Sequence, residues 1–446
     1  MNDETNNNSL KRELGFLPAL STVMGLVIGG GVFFKISSVT AATGSASLTI
    51  LVWLLAGFIT INAGLSVAEL AAALPIAGGI YKYIEYIYGK VPAFLLAWAQ
   101  SVIYYPAGIS ALSIIFSTQV LNLCNLDKSW LLPIAIALAV FLYVVNLFGA
   151  RVGGAIQTVA LIAKLIPIVL IIVVGLFTPT GNQVSLFPVT AGTHSSFWSS
   201  LGGGLLATMF AFDGWMNVGN LAGEMKKPEK DLSKSIIVGL FFITLIYVSI
   251  SFVFIKALPF HLIPGNQNAA SEAAIRIFGD IGGKIVTIGI LISVFGSVNG
   301  YTMTGPRVSF VLGNDDELIF SKFFAKLTKK SRVPANAGLV QTIIAIIMIF
   351  MGSFDYLTDM LVFVMWIFSM MMFIGIFILR KKEPELERPY KINFYPIPPI
   401  ISLLGGAYII ISTIMRQPGL AMMGIGITLL GLPVYYIHYF YKKRSL

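Results

Sequence analysis

Long apolar stretches without charged residues recur along this 446-residue chain and limit what it can fold into. The segment 168–176 is apolar throughout. Hydrophobic residues make up 57% of the chain and charged residues 11%, against about 25% charged residues in soluble domains. A soluble protein of this size could not bury that much apolar surface, so the composition excludes a cytosolic enzyme and a disulfide scaffold. It predicts a polytopic membrane protein.

The apolar stretches predict about twelve transmembrane helices, at about twenty residues per crossing. Helices satisfy their own backbone hydrogen bonds in lipid. A β-barrel would need alternating segments of about ten residues, which these runs are not. We therefore expect an all-α protein with a single transmembrane domain over residues 1–446. The predicted spans are 14–40, 47–74, 92–122, 130–149, 153–177, 198–223, 235–257, 283–312, 335–351, 356–380, 396–415 and 419–440.

The distribution of lysine and arginine predicts the orientation in the cell membrane. With the N-terminus inside, 22 of the 30 basic residues fall on inner segments and six, including Lys35, on outer ones. Lys164 and Arg307 remain within spans. Because basic residues are retained on the cytoplasmic side, we expect both termini to be cytoplasmic. The same bias accounts for the net charge of +10 without a nucleic-acid partner. Segment 78–90, rich in tyrosine, predicts an amphipathic helix on the inner surface.

Two spans contain interruptions. Three consecutive glycines, 29–31, lie within the first span, and FAFDGW occupies 210–215 within the sixth. Each glycine destabilises a helix interior by about 1 kcal/mol relative to alanine. The two spans are five apart and so cross the membrane in opposite directions. Paired interruptions of this kind predict an inverted-repeat transporter with a site near the membrane midplane. The alternative for one glycine-rich span is close helix packing.

The interruptions also predict the chemistry of the ligand. A broken helix exposes amides where its second half starts and carbonyls where its first half ends. Such amides suit a carboxylate and such carbonyls an ammonium group, so a zwitterionic amino acid fits both. Asp213 could contact the substrate or cap a helix. The candidate substrate-binding residues are Ile28, Gly29, Gly30, Gly31, Val32, Phe210, Ala211 and Asp213.

Lys164 lies about eleven residues past the inner end of its span. A lysine within the membrane is costly unless it is paired or hydrated, so it is a functional candidate; the alternative is a snorkelling lysine. A fixed ammonium could replace a bound cation between the first span and span 8, near serine hydroxyls, making transport independent of sodium. The candidate coupling and gating residues are Lys164, Gly25, Ser293 and Ser297. Glu69, near the inner end of span 2, is expected to form a gate or packing ion pair.

Other chemistry is not indicated. The histidines His194, His261 and His438 lie too far apart in sequence for metal-ligand spacing, so we expect no metal site. Neither glycine-rich segment, 202–207 or 282–284, matches a nucleotide-binding motif. We expect no cofactor and no enzymatic activity. A single cysteine, Cys124, excludes an intrachain disulfide.

Several motifs together resemble the amino acid–polyamine–organocation superfamily. They are VIGGGVF at 27–33, AEL at 68–70, PIAGGIYKY at 75–83, FAFDGW at 210–215, GEMKKP at 223–228 and PRV at 306–308. Within it the chain looks most like the L-amino-acid transporter family, and is similar to bacterial serine/threonine and alanine–serine–cysteine exchangers. The resemblance implies a leucine-transporter-like fold with a 5+5 inverted repeat (14–177 and 198–380) plus two additional helices (396–440). It also implies sodium-independent obligatory exchange by alternating access.

The resemblance implies residue roles as well. Residues Gly29, Gly30 and Gly31 would hold the substrate carboxylate, Phe210 would line and close the pocket, and Lys164 would occupy the sodium position of sodium-coupled relatives. Members usually carry serine at position 30 and often tyrosine at position 212, where this chain has glycine and phenylalanine.

Animal relatives attach a glycoprotein heavy chain through a cysteine after span 3. Cys124 lies near that loop, but a buried free thiol is the commoner state, so a covalent partner is not expected. The leading hypothesis is an exchanger of small neutral amino acids such as alanine, serine, threonine or cysteine. The alternatives are a proton-coupled amino acid or polyamine carrier, a channel, and an amino acid sensor that does not transport.

Overall fold

The computed structural model describes residues 15–74, 79–179, 182–192, 196–215 and 227–445. Within these ranges the secondary structure is helical and contains no strand. The helices are α1 (Phe16–Val27), α2 (Gly31–Thr43), α3 (Ala46–Ala73), α4 (Gly79–Tyr88), α5 (Lys90–Ala99), α6 (Tyr105–Cys124), α7 (Leu131–Leu147), α8 (Ala150–Phe177), α9 (Phe197–Ala211), α10 (Pro228–Ala257), α11 (Ala269–Asn314), α12 (Ser321–Phe324), α13 (Ala335–Met351), α14 (Phe354–Lys382), α15 (Ile397–Arg416), α16 (Pro418–Leu429) and α17 (Gly431–Ser445).

The described helices confirm an all-α polytopic membrane protein. Eight helical segments are long and apolar enough to cross a membrane, and three shorter apolar helical segments accompany them. Each of the twelve predicted spans overlaps a helix of this structure. The part of predicted span 198–223 that follows Trp215 is outside the described residues, as is most of the GEMKKP motif.

The interruption predicted in the first span is present. Helix α1 ends at Val27, Ile28 is extended (φ −67°, ψ 107°), and α2 begins at Gly31. The sixth span is also interrupted, because α9 ends at Ala211 and Gly214 has a φ of +103°. A positive φ has little energetic cost only for glycine. Gly214 therefore permits the chain to leave the helical path directly after Asp213.

A π-helical turn, Gln100–Tyr104, joins α5 to α6 within one continuous span. Such turns shift the helical register by one residue and are frequent at functional sites. This one places Tyr104 and Tyr105 in succession on the side of the span that faces α11, where both rings contact Tyr301. The sequence carries no signal for such a turn.

Tyr247 of α10 links the two interrupted spans. Its hydroxyl lies 3.2 Å from the carbonyl oxygen of Val27 and 2.9 Å from that of Ala211. Both carbonyls belong to the last residue of a helix that stops in mid-span, where no following turn provides an amide donor. The Tyr247 ring is fully buried and packs against Trp53 and Phe212. The Tyr247 hydroxyl therefore links the end of α1 to the end of α9.

Glu69 forms the ion pair that its position predicted. Its carboxylate accepts hydrogen bonds from Arg380 at 2.8 and 2.7 Å and from the backbone amide of Ile392 at 2.8 Å. A bidentate arginine with an added backbone donor can compensate a buried carboxylate for its lost hydration. The contact joins α3 to the end of α14 and the segment after it. Arg307, by contrast, is exposed and donates to the carbonyl of Met303.

The predicted amphipathic segment 78–90 corresponds to α4, which ends at Tyr88, before Lys90 begins α5; residue 78 is not among the described residues. The Tyr81 hydroxyl donates to Glu317 at 2.8 Å, just beyond the end of α11. Burial raises the pKa of the Tyr81 hydroxyl and the pKa of the Glu317 carboxyl, since it disfavours the charged form of each. The helix is thus attached to the end of α11.

The surroundings of two residues differ from what their sequence context suggests, and for Cys124 the expectation is wrong. Lys35, counted among the outer charges, is fully buried in α2. Its partners come from α14 and could not be identified from the sequence near it. Cys124, expected to be a buried thiol, is exposed because it is the last residue of α6 and precedes a turn.

Candidate functional site

A cavity of about 210 Å³ lies between the two interrupted spans. Its lining includes most of the candidate residues, which are Gly25, Ile28, Gly29, Gly30, Gly31, Lys164, Phe210, Ala211, Asp213 and Ser297. Val32 and Ser293 are buried outside that lining. The structure therefore brings together residues from α1, α2, α8, α9 and α11 that are far apart in the sequence.

The start of α2 directs backbone amides at the cavity. The first amides of a helix have no acceptor within it and carry a partial positive charge. The amide of Gly30 donates to the Ser297 hydroxyl of α11 at 3.3 Å. That hydroxyl in turn lies 3.1 Å from the carbonyl oxygen of Ser293. Ser297 thus ties the break to α11, while an anion in the cavity would meet the amides that follow Gly30.

The glycines of the first break also serve close packing. A Cβ at Gly31 would lie 2.9 Å from the Cα of Ala211, a distance that real side chains do not tolerate. A Cβ at Gly30 would lie 3.1 Å from Val294. The absence of side chains lets α2 contact α9 and α11 directly. Both hypotheses for this segment, helix packing and exposed backbone, are compatible with this geometry.

Lys164 reaches the first break from α8. Its ammonium donates to the carbonyl of Gly25 at 3.0 Å and also to that of Ile28. These carbonyls lie at the C-terminal end of α1, which carries a partial negative charge. The side chain is 5% exposed, which argues against snorkelling to the membrane surface. The Ser293 hydroxyl has no partner among the described residues, and the described hydrogen bonds join neither Ser293 nor Ser297 to Lys164.

Asp213 faces the cavity and accepts two hydrogen bonds on one oxygen. The hydroxyl of Tyr104 donates to Oδ2 at 2.5 Å and that of Tyr301 donates to the same atom at 2.7 Å. Both tyrosines line the cavity, and Tyr105 lies against both rings. The sequence did not single out Tyr104, Tyr105 or Tyr301, because a tyrosine in an apolar span carries no signal of its own. The helical segment that Asp213 was expected to cap is outside the described residues.

Phe210 lines the cavity, and its ring packs edge-on against Phe354 of α14, with 5.8 Å between centroids. The Lys35 ammonium lies 5.7 and 5.2 Å from these two rings. It also pairs with Asp355 at 3.2 Å and with Asp359 at 3.0 Å. We call Lys35, Asp355 and Asp359 the Lys35 cluster. It joins α2 to α14 beside the aromatic pair.

Comparison with known proteins identifies the family of this chain. The family model for amino acid permeases matches residues 14–437. The serine/threonine exchanger SteT of Bacillus subtilis is 39% identical over 433 residues, covering 97% of this chain and 98% of that protein. The Asc-type amino acid transporter 1 of Mus musculus is 28% identical (98% and 83% covered), and the b(0,+)-type amino acid transporter 1 of the same species is 27% identical (98% and 90% covered). The chain belongs to the amino acid permease family of the amino acid–polyamine–organocation superfamily.

Proposed function

We propose that this protein exchanges small neutral L-amino acids across the cell membrane by alternating access, without sodium. The observation that carries the proposal is the cavity between two interrupted helices, with helix-start amides on one side and helix-end carbonyls on the other. The two groups of backbone atoms have opposite partial charges. A zwitterion satisfies both.

The substrate carboxylate binds at the start of α2, where Gly31 follows the break and lines the cavity. The substrate ammonium binds near the carbonyl ends of α9, at Phe210 and Ala211. Among the described residues that line the cavity, all except Lys164 and Asp213 are uncharged. Its volume of about 210 Å³ suits a small amino acid. The names of relatives, a serine/threonine exchanger and an Asc-type transporter, support the same substrate class.

Independence from sodium rests on Lys164. Carbonyl oxygens at an unwound helix end are typical sodium ligands in transporters. Here the carbonyls of Gly25 and Ile28 already accept hydrogen bonds from a fixed ammonium. We infer that no mobile cation is needed to join α1 to α8.

The remaining parts of the proposal concern how the helices are organised in the membrane. We propose that 14–177 and 198–380 are two inverted repeats, that 396–440 adds two helices, and that both termini are cytoplasmic. We also propose that the chain works without a covalent partner at Cys124, although that thiol is exposed.

Counterflow in proteoliposomes tests the proposal. Vesicles loaded with unlabelled serine are diluted into labelled serine, in sodium medium and with sodium replaced by choline. We expect uptake well above that of empty vesicles and equal in both media. Equal uptake into loaded and empty vesicles would exclude obligatory exchange. Uptake into empty vesicles driven by a pH step would identify a proton-coupled carrier, and binding without flux would identify a sensor.

A further inference from the structure

Among the described residues, Asp213 is the one acidic side chain that lines the cavity, and their ion pairs do not include it. A carboxylate inside a protein is costly unless hydrogen bonds or a cation compensate it. Here the compensation comes from Tyr104 and Tyr301, whose hydroxyls converge on the same oxygen. The proposed substrate site therefore contains a carboxylate whose Oδ2 atom already accepts two hydrogen bonds from neutral donors.

We propose that Tyr104 and Tyr301 determine side-chain selectivity by masking Asp213, so that the cavity accepts neutral amino acids and rejects cationic ones. This inference rests on the proposed function, because it concerns which side chains the same cavity admits. It assigns a role to two residues for which neither the family motifs nor the sequence pattern provides one.

The two tyrosines are held in place from outside the cavity. Tyr104 belongs to the π-helical turn and Tyr301 to α11, and their ring centroids are 5.5 Å apart. A Cβ at Gly108 would lie 2.6 Å from the Tyr301 ring, so this ring is packed directly on the backbone of α6. These contacts favour the positions in which both hydroxyls reach Asp213.

The masking has an energetic basis. An unoccupied carboxylate in a site of low polarity attracts an ammonium group strongly. Two phenols already stabilise the negative charge of this carboxylate, so a cationic side chain gains less by pairing with it, and it still loses its own hydration. A side chain with a hydroxyl or methyl group has far less hydration to lose. The free energy of binding therefore favours neutral substrates over cationic ones.

The test compares two inhibitors of equal size, neutral homoserine and cationic 2,4-diaminobutyrate, against exchange of labelled serine. Wild-type protein should prefer homoserine. In the double variant Y104F/Y301F, the preference should fall by about tenfold, the equivalent of one net hydrogen bond to a charged group. Each single variant should shift it in the same direction by a smaller factor.

Two variants make the result specific. Tyr105→Phe removes a hydroxyl from the same aromatic group, and the described hydrogen bonds do not join that hydroxyl to Asp213, so it should keep the wild-type preference. Adding Asp213→Asn to the double variant should abolish the increase in inhibition by diaminobutyrate. An unchanged preference in the double variant, or an equal shift in Tyr105→Phe, would overturn the proposal.

A second measurement covers variants that fold but do not transport. Thermal stabilisation of the purified protein by each inhibitor reports binding alone, and the same change of preference is expected there. Absence of serine exchange in the wild-type protein would instead refute the proposed function. Intact serine exchange with unaltered preference in the double variant refutes only the masking role.

Discussion

Of the residues that the structure describes, Lys164 and Asp213 are the two charged ones that line the cavity, and different neighbours stabilise each. The Lys164 ammonium is held by backbone carbonyls of α1, while the Asp213 carboxylate is held by two phenols. Within low-polarity surroundings each arrangement replaces lost hydration. Both residues were identified from the sequence because a charge within an apolar span is conspicuous. The first span and Gly25 were expected near Lys164, but the tyrosines that contact Asp213 were not identified, since a tyrosine in an apolar span carries no signal of its own.

Replacing Lys164 with alanine should slow serine counterflow by at least about tenfold, because two carbonyls at the end of α1 lose a charged donor. Lys164→Arg should restore part of the rate. The measurement is the initial rate of labelled serine uptake into loaded vesicles. Lys128→Ala, at an exposed lysine, is the matched control. A wild-type rate in Lys164→Ala would remove this role.

Gly31→Ala should impair the protein through packing. The added Cβ would lie 2.9 Å from the Ala211 Cα, so α2 and α9 must separate, with an expected destabilisation of about 1–3 kcal/mol. Thermal unfolding in detergent and the apparent affinity for serine should both decline. Gly426→Ala provides the control, since a Cβ at Gly426 meets no atom within 4 Å. Equal effects of the two substitutions would contradict the packing argument.

At the scale of elements, the interruptions are what distinguish this bundle from a set of continuous spans. The glycines at 29–31 predicted the first interruption correctly, because the cost of glycine in a helix is local. The ends of α1 and α9 are joined by Tyr247, which belongs to a third helix. Such a contact depends on how α10 packs, and no local pattern encodes it. The π-helical turn before α6 is a further local departure without a sequence signal.

The Lys35 cluster should stabilise the contact between α2 and α14. Lys35→Met leaves Asp355 and Asp359 without their buried cation, which should cost about 3–5 kcal/mol. We expect a lower melting temperature and slower serine counterflow. Lys35→Arg should recover much of the stability. Lys322→Met, at an exposed lysine of α12, should match wild type. A melting temperature unaffected by Lys35→Met would show that the Lys35 cluster does not stabilise the fold.

For the molecule as a whole, contacts between distant segments close the bundle. Glu69 of α3 meets Arg380 of α14, and Lys35 of α2 meets Asp359 of the same helix. Lys442, in α17, pairs with Asp316 at 2.6 Å, just after α11. These pairs join segments that are far apart in the sequence, and none could be assigned from sequence spacing.

The orientation of the whole molecule follows from the positive-inside bias, and it predicts both termini in the cytoplasm. A protease-cleavable tag at either end should be cut in inside-out vesicles and protected in intact cells. A tag inserted in the loop at Gly265, which has a φ of +74° and open space around it, should show the reverse pattern. Cleavage of the terminal tags in intact cells would contradict the orientation.

The amino-acid sequence by itself determined the class of fold, the helical spans, the interruption of the first and sixth of them, and the glycines and charged residues around the cavity. These follow from local properties: apolar length, backbone freedom and the cost of a charge in lipid. Only the tertiary structure decided the partners, namely the carbonyls for Lys164, the tyrosines for Asp213 and the two aspartates for Lys35. Those contacts join residues more than 80 positions apart, and helix packing alone brings them within hydrogen-bonding distance.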